Sequence, residues 1–160
     1  MLKKLIPSST ETLLQQAVQS ELYASHFYKH LANQCQRLGL FGAASYFKQE
    51  SADELEHYQK WADYLNDVGY VAELPEIDAC DAKVNGLQAA LEIAHTIEVG
   101  LMQKYAGWYD KVDVVTKQRM LEFIEIQRTS VGEYADLLAR LDQGGDDKCA
   151  ILLIDKELGK

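Results

Sequence analysis

Residues 41–68 read FGAASYFKQESADELEHYQKWADYLNDV, and this stretch decides the fold. Phe47, Glu50 or Ser51, Glu54, His57 or Tyr58, Trp61, Leu65 and Val68 recur at helical spacing, the pattern of a long helix with one buried face. Glu54 and His57, which bind protons or metal ions, interrupt that apolar face near its middle. Working outward, the pattern returns three times. A first helix, with Ser8, Ser9 and Thr10 as candidate caps and Gly39 as its stop, carries Leu14, Ala17, Val18, Glu21, Ala24, Tyr28, Leu31 and Cys35. A third, which Asn85 is placed to cap, carries Leu87, Leu91, Ala94, Glu98, Leu101, Tyr105 and Trp108 and fades between Lys111 and Val115. A fourth, from near Thr116 to Gly144-Gly145, carries Met120, Phe123, Gln127, Ser130, Tyr134, Leu137 and Leu141. A short apolar helix is predicted within 146–158, and residues 70–84, with Pro75, read as an extended connection. The fold class expected is all-α: a four-helix bundle over about 8–143, a long crossover between helices 2 and 3, and a short C-terminal fifth helix, forming a single domain over 1–160.

Composition narrows the function. Of 160 residues 48% are hydrophobic and 26% charged, ordinary for a globular chain, while 16 basic against 25 acidic side chains leave a net charge of −9. That balance argues against nucleic acid or an anionic membrane as partner and favours cations. No stretch approaches the ~18 apolar residues of a membrane span. Three widely spaced cysteines, Cys35, Cys80 and Cys149, with no CxxC pair, give neither a disulfide framework nor a zinc knuckle. A soluble cytoplasmic protein is the expectation.

The four interruptions are predicted to meet. Glu21 and His57 each stand 18 residues from Gly39, so a hairpin about that glycine sets them opposite one another, with Glu54 one turn away. Glu98 and Gln127 are related in the same way about the Val112 region. The connection over 70–84 reaches roughly 50 Å when extended, and a helix of ~28 residues is about 42 Å long. The chain can therefore return along the whole bundle, which makes helix 3 parallel to helix 2 and brings both sets to mid-bundle. Three carboxylates in an apolar core repel one another unless protonated or bound to cations. Carboxylate oxygens with one imidazole suit iron, manganese or zinc, and two divalent ions would neutralise the three charges, with Glu54 as the bridging ligand. By contrast, His26, His30 and His95 read as surface or supporting positions, and Trp61, Tyr105 and Trp108 as core.

The segments ELYASHFY (21–28), GLFGAASYFKQESADELEH (39–57), ELPEIDA (73–79), ALEIAHTIEVGL (90–101) and ILLIDKELG (151–159) together resemble ferritin from about Glu11 to Leu158. The resemblance is to the non-haem, cage-forming, ferroxidase-active type found in prokaryotes. It implies a ferritin-like bundle that oxidises Fe(II) with O2 or H2O2 at a di-iron centre and stores Fe(III) as mineral in a hollow homo-oligomer of roughly 24 copies. Carried onto this chain, it makes Glu21, Glu54 and His57 ligands of one iron, with Glu54 bridging to a second held by Glu98 and bordered by Gln127. Tyr28 matches a tyrosine near the centre, and Asp53 and Glu56 match acids of the cavity wall, where mineral nucleates. Leu55 stands where haem-containing relatives carry Met, so no haem is expected. Gln127 and Ser130 replace a Glu-x-x-His on the fourth helix, which points to iron that passes through. The alternative is a di-metal oxidase or peroxidase of the same fold without storage.

Overall fold

A computed structural model describes residues 3–160; Met1 and Leu2, the start of the expected 1–160 domain, lie outside it. Five helices and no strand occur among the described residues: α1 (Ser8–Arg37), α2 (Phe41–Asp67), α3 (Leu87–Tyr109), α4 (Val114–Gly144) and α5 (Lys148–Leu158). α1 and α2 form one antiparallel hairpin and α3 and α4 a second, with α1 laid against α3. Gly39 makes the first turn at φ +78°, a left-handed conformation that costs glycine little. All eight stripe positions of α1 and all seven of α3 are buried. No helix among the described residues is long and apolar enough to cross a membrane.

The crossover returns along α1 by a device the sequence does not advertise. Gln15 on α1 donates to the Val71 carbonyl at 2.8 Å and accepts the Glu73 N–H at 3.1 Å. Nineteen residues further on, Gln34 holds the Ala82 carbonyl and accepts the Val84 N–H at 2.8 Å. Each side-chain amide offers one donor and one acceptor, as a peptide group does, and so satisfies the backbone of an extended segment that has no strand beside it. His30 reinforces the upper clamp at Ala82. The crossover thus ends beside the turn between α1 and α2, and α3 starts out parallel to α2, as expected.

Several helix starts differ from expectation. Ser8, Ser9 and Thr10 do not cap α1, which begins directly behind Pro7 with no side-chain cap. The buried Thr10 hydroxyl accepts the Asp113 N–H instead, joining the start of α1 to the start of α4. Asp113 caps α4 through the Val115 N–H, so that helix begins two residues before Thr116. Gly86, not Asn85, occupies the α3 cap position, and Asp147 caps α5. α2 has Leu40 at its N-cap position, with no side-chain cap from that residue. Its cap comes from α5: the Asp155 carboxylate accepts the N–H groups of Gly42 at 3.1 Å and Ala43 at 2.7 Å. A Cβ on residue 42 would lie 1.6 Å from the Asp155 carbonyl oxygen, so the docking of α5 requires glycine there.

Candidate metal centre

Of the polar interruptions of the four stripes, Glu21, Glu54, Glu98 and Gln127 are buried and His57 is half-buried, with aromatic rings packed around them. Trp61 stacks on Phe123 with centroids 4.3 Å apart, and the His57 ring meets Phe123 edge-on at 5.8 Å. On the opposite side Tyr28 stacks with Phe47 at 5.9 Å and Tyr134 at 6.5 Å. Between these walls the hairpin of α1 and α2 brings Glu21, Glu54 and His57 together, each offering an atom within 4.8 Å of the other two. His57 Nδ1 lies 3.3 Å from Glu54 Oε2 and 3.9 Å from Glu21 Oε2. This is the arrangement predicted from the equal distances to Gly39. Glu98 on α3 stands outside that triad and is tied to α1 by the Tyr28 hydroxyl, which donates to its Oε1. Gln127 on α4 is fully buried.

Among the described residues, four buried side-chain atoms have no hydrogen-bonding partner: Glu21 Oε2, Glu98 Oε2, and both Nε2 and Oε1 of Gln127. Native interiors rarely leave such groups unpaired, because each forfeits its hydration without replacement. They occur here in three of the five residues expected to bind metal. A pair of divalent cations would satisfy the orphaned oxygens, so the donor set fits an ion pair of borderline character, such as iron.

The electrostatics agree. Burial raises the Glu21 carboxyl well above its ordinary range, and Glu54 adds to the effect. Burial likewise pushes Glu54 up to about 8, with the charges of Glu98, Glu50 and Asp53 adding to it. Glu98 also rises to about 8, through burial and its carboxylate neighbours, while the Tyr28 hydrogen bond resists. Without metal, then, these carboxyls hold protons near neutral pH. A cation entering must displace them, which makes metal uptake proton-releasing.

Other expected residues lie at the margins. Asp53 is half-buried and accepts from Gln49 at 2.8 Å, and Glu56 is exposed; neither joins the triad. Leu55 is 46% exposed. Three residues at the centre were not anticipated as functional. Tyr105 donates to Glu21 Oε1, Trp61 Nε1 donates to the Tyr105 hydroxyl at 3.3 Å, and Glu50 accepts from Tyr134 at 2.9 Å. Burial lifts Glu50 to about 7 in spite of that bond. A sequence signal for Tyr105 did exist: Glu21 precedes Tyr28 by seven residues and Glu98 precedes Tyr105 by the same interval.

Comparison with known proteins agrees with this architecture. The ferritin-like domain model matches residues 11–144. A ferritin from Pacifastacus leniusculus is 31% identical, the alignment covering 91% of this chain and 84% of that one. A probable bacterial non-heme ferritin-like protein from Haemophilus influenzae is 25% identical over 92% of both. Among solved structures, an open pore ferritin from the archaeon Archaeoglobus fulgidus superposes with a TM-score of 0.91 over 96% of this chain and 97% of its own, at 22% identity, a likeness of fold. With a family match that runs across four helices and a ferritin relative at 31% identity, this chain belongs to the ferritin family.

Proposed function

We propose that this chain is the subunit of an iron-storage ferritin with ferroxidase activity, Fe(II) being its substrate and cargo. The observation that carries the proposal is that Glu21, inside the Glu21, Glu54, His57 triad, and its carboxylate neighbour Glu98 each keep a buried oxygen without a hydrogen-bonding partner. In this reading Glu21, Glu54 and His57 hold one iron. Glu54 is shared with a second iron, which Glu98 and Gln127 serve. Two Fe(II) give up one electron each, and O2 with two protons becomes H2O2; H2O2 as oxidant, with two further protons, becomes water. The carboxyl protons displaced from Glu21, Glu54 and Glu98 are released where those reductions consume them. Gln127 offers no charge, so the second ion is held less firmly than a full set of carboxylates would hold it.

Fe(III) then leaves for a mineral core inside a hollow homo-oligomer of roughly 24 copies, with Asp53 and Glu56 on the path along its inner wall. The chain acts in the cytoplasm, takes no haem because Leu55 offers no thioether, and binds neither nucleic acid nor membrane. The names of its relatives, ferritin and bacterial non-heme ferritin, support storage over a di-metal oxidase or peroxidase without storage. Particle size separates the two, since a monomer or dimer in solution excludes a cage. The centre itself is tested by Glu54→Ala, expected to slow Fe(II) oxidation about 10–100-fold while the assembly persists. Undiminished oxidation in that variant refutes the assignment.

A further inference from the structure

Tyr105 and Trp61 are fully buried beside the centre, and the reaction described above gives them no task. Tyr105 donates its O–H to Glu21 Oε1, while Glu21 Oε2 has no partner. Trp61 Nε1–H reaches the Tyr105 oxygen at 3.3 Å. A phenol has a single hydrogen, so a donor arriving at its oxygen leaves that hydrogen directed at Glu21. The Tyr105 ring is wedged in place by Trp61, Trp108 and Phe123, with centroids 6.0, 5.7 and 5.6 Å away. Tyr28 treats Glu98 in the same way, occupying Oε1 and leaving Oε2 orphaned. The two bonds are reciprocal: the tyrosine of α1 serves the glutamate of α3, and the tyrosine of α3 serves the glutamate of α1.

We propose that Tyr105, steered by Trp61, is a positioning residue that reserves one oxygen of Glu21, so that this glutamate meets a cation through its other oxygen alone. The inference rests on Glu21 being a metal ligand. A carboxylate with both oxygens free chelates an ion through both and fills one more coordination position. With one oxygen reserved, that position stays open for water or dioxygen, and the ion stays exchangeable, as a centre that hands its iron on requires. The effect belongs to the hydroxyl and not to the ring, because phenylalanine fills the same space.

The test uses the full-length protein with Co(II) alone as a redox-silent probe, together with Tyr105→Phe and Trp61→Phe. Co(II) absorbs visible light more weakly as its coordination number rises. In Y105F the released oxygen turns to the ion: Co(II) still binds, its visible bands weaken, and multiple-turnover Fe(II) oxidation slows on the order of tenfold. W61F shifts both readouts in the same direction by less, and supplies the answer should Y105F fail to fold. Tyr109→Phe, which removes a hydroxyl from a tyrosine beside Lys117, leaves both unchanged. A Y105F protein with the wild-type Co(II) spectrum overturns the proposal, and so does one that no longer binds Co(II) at the Glu21 half. A wild-type chain that takes up neither Co(II) nor Fe(II) overturns the ligand assignment itself, and this inference with it.

Discussion

Replacing Glu54 with Gln in the metal-free protein tests the proton-filled centre, and its effect should change with pH. Burial, and then the neighbouring carboxylates, carry Glu54 from 4.5 up to about 8 in the folded chain. A carboxyl raised by folding contributes stability that is fully present below its unfolded pKa and is lost as pH climbs through the folded one. At about 1.4 kcal/mol per unit, the loss between about pH 4 and pH 8 has a ceiling of about 5 kcal/mol. Glu98 titrates over the same interval, so the two groups share that loss as each releases its proton into the other's field. Gln keeps the shape and never ionises. E54Q should therefore lie within about 1 kcal/mol of wild type near pH 5 and exceed it by about 2–4 kcal/mol near pH 8. Urea denaturation with a chelator present, followed by far-ultraviolet circular dichroism at both pH values, reads the difference directly. Anaerobic Fe(II) at the higher pH should reverse the ranking if Glu54 is the ligand proposed above, since wild type alone would then keep the full ligand set through which metal binding stabilises the folded state. Metal-free wild type equally stable at both pH values, or E54Q weaker at the higher one, refutes the reasoning.

Two further perturbations probe the scaffold. Asp155→Ala removes the side-chain cap that α5 gives α2 and should cost about 1–2 kcal/mol, seen as faster hydrogen exchange at Gly42, Ala43 and throughout α5. Gly42→Ala should release α5 more completely, because the new methyl collides with the Asp155 carbonyl. Gln34→Ala leaves the Val84 N–H to water while His30 still holds the Ala82 carbonyl, so exchange should quicken at Val84 and remain slow at Glu73, which Gln15 still clamps.

What was legible in the sequence was what periodicity controls. The stripes locate the buried faces, and equal distances to Gly39 place Glu21 opposite His57, as the structure has them. What escaped was long-range and directional. Nothing near Leu40 reveals that its helix is capped by Asp155, more than a hundred residues away. Ser8, Ser9 and Thr10 have the chemistry of caps, yet the chain enters α1 directly from Pro7, and the Thr10 hydroxyl serves the start of α4 instead. Tyr105 falls on an apolar stripe and reads as packing, because the partner of its hydroxyl sits on another helix. The Glu-x6-Tyr interval on α1 and α3 becomes informative only once those helices are known to run antiparallel, when it predicts two crossed hydrogen bonds.

The reciprocal bonds between α1 and α3 also bear on the order of events in a chain still being made. The first hairpin contains Glu21, Glu54 and His57, enough donors for one cation, whereas Glu98 and Gln127 arrive only with the second. Sliding α1 along α3 by a single turn would part Tyr28 from Glu98 and Tyr105 from Glu21 in one movement. Under the function proposed above, two-electron chemistry would be conditional on correct docking of the halves: a truncated or misregistered chain would have no complete pair of sites, and so no seat where dioxygen meets two irons at once.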